Sequence, residues 1–332
     1  MDNNTKLIFP LCSLFLLICV PIKIPLSDSN IDDFNAYLSR YNKTYNETEY
    51  QKRLNVFVTS KKMIAELNSK RNNPDSAYYG VTKYSDLLPI EFLVSNLMIK
   101  KGEQPKFKDW LEKHKKEIPL KVDWREKDVL SPVYNQKNCG GCWAFTTIET
   151  VESLEAIKNG KLDKLSIQQM IDCSTTNNGC KGGDMCTLLD EVVESNLKIV
   201  KDIEYPLNYL KSECKINSTK DGVTIKNFKC EFLGNHEDII LHYLANFGPV
   251  SAAVNAGSWQ HYLGGIIQYH CDSSPFLMNH AVQIVGYDIS GSIPFYIVRN
   301  SWGTDFGENG YLKIVMGKNM CGIANKVVSI SI

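Results

Sequence analysis

Cys142 has the sequence setting of a nucleophile. It closes the stretch Gln136-Lys-Asn-Cys139-Gly-Gly-Cys142-Trp143-Ala-Phe145, where a glycine-containing loop gives way to an apolar periodicity. Phe145, Ile148, Val151 and Leu154 recur every three residues, with Ala144 and Ile157 beside that stripe and Gly160 after it. The pattern predicts a helix with one buried face, ending at the glycine. A cysteine heading that helix sits at the positive end of its dipole, which favours thiolate over thiol. Thiolate is the attacking form, so acyl transfer to sulfur is the chemistry these residues suit.

The stretch admits two other readings. Cys139-Gly-Gly-Cys142 has the C-x-x-C spacing of a redox dithiol or half a metal site. Two ordinary structural disulfides would also account for it. A dithiol oxidoreductase needs a βαβ context that the flanking sequence lacks. Downstream, Asn279-His280-Ala281 and Arg299-Asn300-Ser301-Trp302-Gly303 supply an imidazole and a carboxamide. His280 falls inside the roughly 130–150-residue window that separates nucleophile from histidine in papain-like proteases, and Asn300 lies slightly beyond it.

With these motifs the chain resembles the papain/cathepsin family of cysteine proteases over nearly its whole length. Gly141 replaces the Ser or Ala of the C-G-[SA]-C-[WY] signature, small for small. Ser258–Cys271, with Gly140-Gly141 before the nucleophile, strengthens the resemblance. It implies an α+β, papain-like two-lobed fold: a helical lobe over about 118–230, a β-rich lobe after it, and a cleft between them. Val250–Val254, His280–Tyr287, Phe295–Val298 and Tyr311–Met316 are β-prone runs separated by turn residues, as the second lobe requires. The implied reaction is peptide hydrolysis through a thioester. Cys142 attacks the carbonyl, and His280 forms the ion pair with it and protonates the leaving amine. Asn300 accepts a hydrogen bond from the imidazole, and Trp302, bordering the cleft, shields that bond from water. Gln136 and the Cys142 backbone N–H donate to the oxyanion. A non-enzymatic protease-like binder would not need all of these.

The resemblance also implies substrate-binding residues. Gly182 and Gly183 let substrate backbone pair along the cleft. Asp184, Met185, Ala253, Met278, Ala281 and Lys326 line the pocket for the second side chain before the scissile bond. A lysine there needs a partner or a route to water, so an acidic substrate side chain is the expected partner. His114, His236, His242, His261 and His270 carry no motif spacing, and Glu149, Glu152 and Glu155 read as a polar helix face.

The rest of the chain prepares the catalytic part. Leu7–Val20, after Lys6, is apolar but short for a bilayer span of about 20 residues. It reads as a secretory signal peptide, residues 1–26, with a retained anchor as the alternative. Residues 27–117 contain helix-like patterning from Asp32 to about Lys70. Glu49, Arg53, Phe57, Ser60, Ile64 and Asn68 resemble the interrupted helical signature of cathepsin propeptides, with Ser60 in place of Asn. Gly80-Val-Thr-Lys-Tyr84-Ser-Asp86 resembles the second propeptide motif. The segment is therefore expected to inhibit the mature part, 118–332, until cleavage near the basic stretch Lys113–Lys116, and to release it at acidic pH.

Composition limits the partners. Lys plus Arg equals Asp plus Glu at 37 each among 332 residues, which gives no support for a nucleic-acid or membrane-surface partner. After signal removal no membrane span is expected. Protein substrates, cystatin-like inhibitors and the chain's own propeptide are the expected partners of a monomer; no cofactor and no metal are expected. Eleven cysteines suggest an oxidising compartment, the secretory pathway with lysosome or cell exterior as destination. The resemblance pairs Cys139–Cys180, Cys173–Cys214 and Cys271–Cys321. Cys186 and Cys230 remain, and a fourth disulfide between them is expected, with two buried thiols as the alternative. Asn42, Asn46 and Asn217 open glycosylation sequons.

Overall fold

Helix α4 (Cys142–Asn159) begins at the cysteine and ends at Gly160, whose positive φ of 69° and N–H to the Ala156 carbonyl close the last turn. Its stripe of Phe145, Ile148 and Val151 packs with Met170 and Ile171 of α5 (Ile167–Cys173) and Leu188 and Leu189 of α6 (Met185–Glu194) in one apolar cluster. Burying each such side chain contributes about 1.5–3 kcal/mol. The other side of α4 is not solvated. Glu149 and Glu152 are 1% and 0% exposed, because that face turns onto the β-sheet rather than to water. Of the expected polar surface face, Glu149 and Glu152 thus form a buried polar seam, while Glu155 stays half-exposed.

The computed structural model describes residues 28–96, 117–216 and 221–332. The apolar leader, the basic stretch 113–116 and Asn217 lie outside the described residues. The chain divides into two units, 1–44 and 45–332. In the first, α1 (Asp28–Arg40) stacks Phe34 on Tyr37. In the second, α2 (Glu47–Ser69) starts at Asn46, whose side-chain oxygen accepts from the Glu49 N–H. The patterning from Asp32 to Lys70 is therefore two helices, separated by a turn with Asn42 in the left-handed region at φ 49°.

After α2 come the short strand β1 (Tyr78–Tyr79) and α3 (Pro89–Asn96). The second lobe carries a sheet in the order β3 (Asn227–Glu231), β10 (Val327–Ser331), β4 (Val250–Val254), β7 (His280–Asp288), β8 (Phe295–Arg299), β9 (Tyr311–Val315), β6 (Ile266–Ile267). β2 (Lys121–Asp123) also pairs with β7, and α7 (Glu237–Asn246) covers the sheet. The four β-prone runs became β4, β7, β8 and β9, and β3 and β10 extend the sheet beyond them. Strand β5 (Tyr262–Gly264) pairs instead with β1.

The three expected disulfides form, and Cys186–Cys230 is a fourth, with Cα atoms 6.1 Å apart, within the usual span. It ties α6 to β3. Cys142 is the one described cysteine outside a disulfide. With Cys139 bonded to Cys180, the dithiol reading of C-x-x-C falls.

Candidate active site

Three elements present the candidate residues. Cys142 is the first residue of α4, which packs across β7; His280 opens β7, and Asn300 follows the end of β8. All three are fully buried. His280 Nε2 lies 2.8 Å from Asn300 Oδ1. That oxygen also accepts from the Ser301 N–H, so it faces the ring as an acceptor and Nε2 carries the proton. The neutral imidazole then keeps its lone pair on Nδ1, which is buried and has no hydrogen-bond partner. Burial pushes the His280 pKa down to about 4, and the Asn300 bond pulls it the other way. At neutral pH this imidazole is uncharged. Trp302 lies against it, ring centroids 4.9 Å apart, and shuts water out.

Gln136 is held beside this group by its backbone N–H to the Ser301 carbonyl, 2.8 Å, and by its Oε1, which accepts from Ser301 Oγ at 2.6 Å. These bonds engage the amide oxygen and leave Nε2 as the donor. Nε2 donates to the Cys139 carbonyl at 3.0 Å and to the Asn96 carbonyl at 3.2 Å. A backbone carbonyl of the N-terminal segment thus sits on the donor expected to serve the oxyanion.

The pocket residues come together in part. Met185, Ala253 and Ala281 share one apolar cluster, with Met278 packed against it, and Ala253 faces Ala281 across β4 and β7. Gly182 has φ 106°, which disfavours a side chain, and a Cβ on Gly183 would lie 2.5 Å from the Trp143 ring. Lys326 differs from expectation. Its ammonium already pairs with Asp184, whose side chain is 2% exposed and whose other oxygen caps α6. The lysine does not await an acidic substrate group, because the opposite lobe supplies one.

The N-terminal segment docks beside this site. β1 adds to β5, and Asn68 bonds both backbone groups of Tyr79 through its carboxamide. Arg53 joins Glu49, Glu91 and the Asp86 carbonyl, while Tyr45 donates to the Asp86 carboxylate. Thr82 donates to the Gln260 carbonyl, and Gln260 Nε2 to the Tyr84 and Leu87 carbonyls. Ser85 Oγ lies 3.2 Å from His261 Nδ1. Tyr84 and Phe92 pack edge-on against Trp302. His261 had no sequence motif to reveal it; only the fold brings the segment onto it.

Residues 118–331 match the family model of papain family cysteine proteases, and residues 34–92 match that of the cathepsin propeptide inhibitor domain. Cathepsin O of Mus musculus is 42% identical over 80% of this chain and 85% of its own, and cathepsin O of Homo sapiens 44% over 77% and 80%. The proform structure of the ragweed pollen cysteine protease Amb a 11 is 30% identical and superposes with a TM-score of 0.81 over 92% of this chain and 93% of that one.

Proposed function

The chain belongs to the papain family of cysteine proteases, and we propose that within it Cys142 is the nucleophile, His280 its acid–base partner, Asn300 the group that orients the imidazole and Gln136 an oxyanion donor. The observation that carries this reading is the buried His280–Asn300 bond, which leaves Nδ1 as a base, in a chain where Cys142 alone among the described cysteines escapes disulfide bonding. Nδ1 takes the thiol proton, and the helix N-terminus favours the thiolate. The thiolate attacks the peptide carbonyl, imidazolium protonates the leaving amine, and water then cleaves the thioester. Gln136→Ala is expected to lower kcat by roughly a hundred- to a thousand-fold with the thiol still titratable. Wild-type kcat in that variant removes Gln136 from the oxyanion site.

The chain carries a propeptide inhibitor domain, so the protein is read as a zymogen: residues 1–26 a signal peptide, 27–117 the inhibitory propeptide and 118–332 the mature endopeptidase. Its destination would be the lysosome or the cell exterior, where it acts as a monomer on protein substrates and meets cystatin-like inhibitors. Inhibition has a physical basis in one contact: the Asn96 carbonyl occupies the Gln136 donor.

The Lys326–Asp184 pair would leave the second subsite without net charge from these two groups. Lys326→Ser frees Asp184 there, so the kcat/KM ratio for Arg- over Leu-containing peptides is expected to rise about tenfold, equivalent to ~1.4 kcal/mol. An unchanged ratio places the pair outside that subsite.

A further inference from the structure

Behind the catalytic trio lies a second trio that the reaction does not use. Each member comes from an element that presents one of the first. Glu149 is on α4, seven residues after Cys142 and so two turns along nearly the same face; Gln283 is three residues after His280 on β7; Arg299 directly precedes Asn300. All three are buried. Arg299 Nη2 lies 3.3 Å from Glu149 Oε1, and Arg299 Nη1 3.4 Å from Gln283 Oε1. Gln283 Nε2 returns to α4, donating to the Glu149 carbonyl at 3.1 Å and to Ser153 Oγ at 3.0 Å. Arg299 is further fixed by the Pro132 carbonyl, 2.7 Å, and Ser131 Oγ, 3.2 Å.

We propose that Glu149 is a positioning residue, whose buried pairing with Arg299 locks the helix that carries Cys142 in register with the strands that present His280 and Asn300. The proposal rests on the assignment of those three residues to the reaction. A buried ion pair gives little or no stability over apolar packing of the same shape, so its value lies in the arrangement that it specifies. Neither Glu149 carboxylate oxygen has a hydrogen-bond partner, whereas neighbouring Glu152 is held by Ser131, Tyr134 and the Leu165 N–H. Glu149 therefore depends on the charge of Arg299. The groups facing it are Arg299 on β8, Glu152 on α4, Tyr134 before α4 and Tyr311 on β9. Burial raises its carboxyl to about 7, with Arg299 pulling it down. The ion pair is thus complete above neutrality and lost as Glu149 takes a proton below it.

The matured enzyme and its Glu149→Gln variant, which keeps shape and loses charge, are compared in kcat and KM from pH 5 to 8. The ratio of wild-type to variant kcat is expected near one at pH 5 and about ten at pH 8, with KM within about twofold throughout. Glu149→Met/Arg299→Met is tested beside it, since apolar replacement of the pair can restore stability. There the expected result is a melting temperature close to wild type and a kcat that stays low at pH 8. Both variants should still label one thiol, so loss of positioning is distinct from a wrong nucleophile. A kcat ratio independent of pH, or full kcat in the double variant, overturns the proposal.

Discussion

Cys142→Ala, freed of its N-terminal segment by an added protease, is expected to fold like the wild type and to hydrolyse no peptide above background. The substitution removes one sulfur from a buried position at the head of α4 and leaves the His280–Asn300 bond and all four disulfides in place. Stability should therefore change little, while on the proposed assignment the reaction loses its nucleophile. Loss of a nucleophile that acts as a unit with its base costs on the order of a million-fold in kcat. Matched thermal melting with wild-type turnover would end the assignment of Cys142. Matched melting with no turnover supports it.

The second large effect concerns acidity and the N-terminal segment. His261 is 1% exposed under Ser85, and burial alone lowers its pKa to about 4. Once the segment lifts, the ring meets water and its pKa returns toward about 6.5. The covered state binds fewer protons there than the open one, so the contact is fully present above pH 6.5. It is lost as pH falls from 6.5 toward 4. Between pH 7.5 and pH 5 the open fraction of the precursor is expected to rise about 30-fold from this group. Initial labelling of the Cys142 thiol in intact precursor reports that fraction. The wild-type rate divided by that of His261→Gln should climb as pH falls, since the variant keeps a polar group that cannot take a proton. A ratio flat from pH 7.5 to 5 removes His261 as the acid sensor.

Patterns set by neighbours along the chain are legible in the sequence. The helix that begins at Cys142 and the β-prone runs that became β4, β7, β8 and β9 are local patterns that hydrophobic periodicity reports, whereas Gln136 stands out only by its spacing from Cys142. Glu149 and Glu152 were misread because spacing by three gives a polar face without saying what that face meets. Here Glu149 meets Arg299 and Gln283 from strands far along the chain, and Glu152 meets Ser131, Tyr134 and the Leu165 N–H from the loops flanking α4. Lys326 was expected to need a partner, but its partner Asp184 belongs to the other lobe, and charge pairing across 142 residues leaves no periodic trace. The same holds for Asn96 on Gln136 and for Ser85 on His261. The break between α1 and α2 falls at Asn42, in the left-handed region, and at Asn46, whose side chain caps α2 and competes with a continuous helix. Strands β3 (Asn227–Glu231) and β10 (Val327–Ser331) are five residues each, and their pairing is set only by long-range register.

Active-site thiol titration is the most direct test that this chain is a papain-type protease built on Cys142. The intact precursor and the chain freed of its N-terminal segment are each treated with a thiol-specific alkylating agent, and the labelled residue is mapped. One reactive thiol per mature chain, located at Cys142, slow to react in the precursor and lost together with peptide turnover, is the expected result. Two reactive thiols at Cys139 and Cys142, or none after the segment is removed, would contradict it.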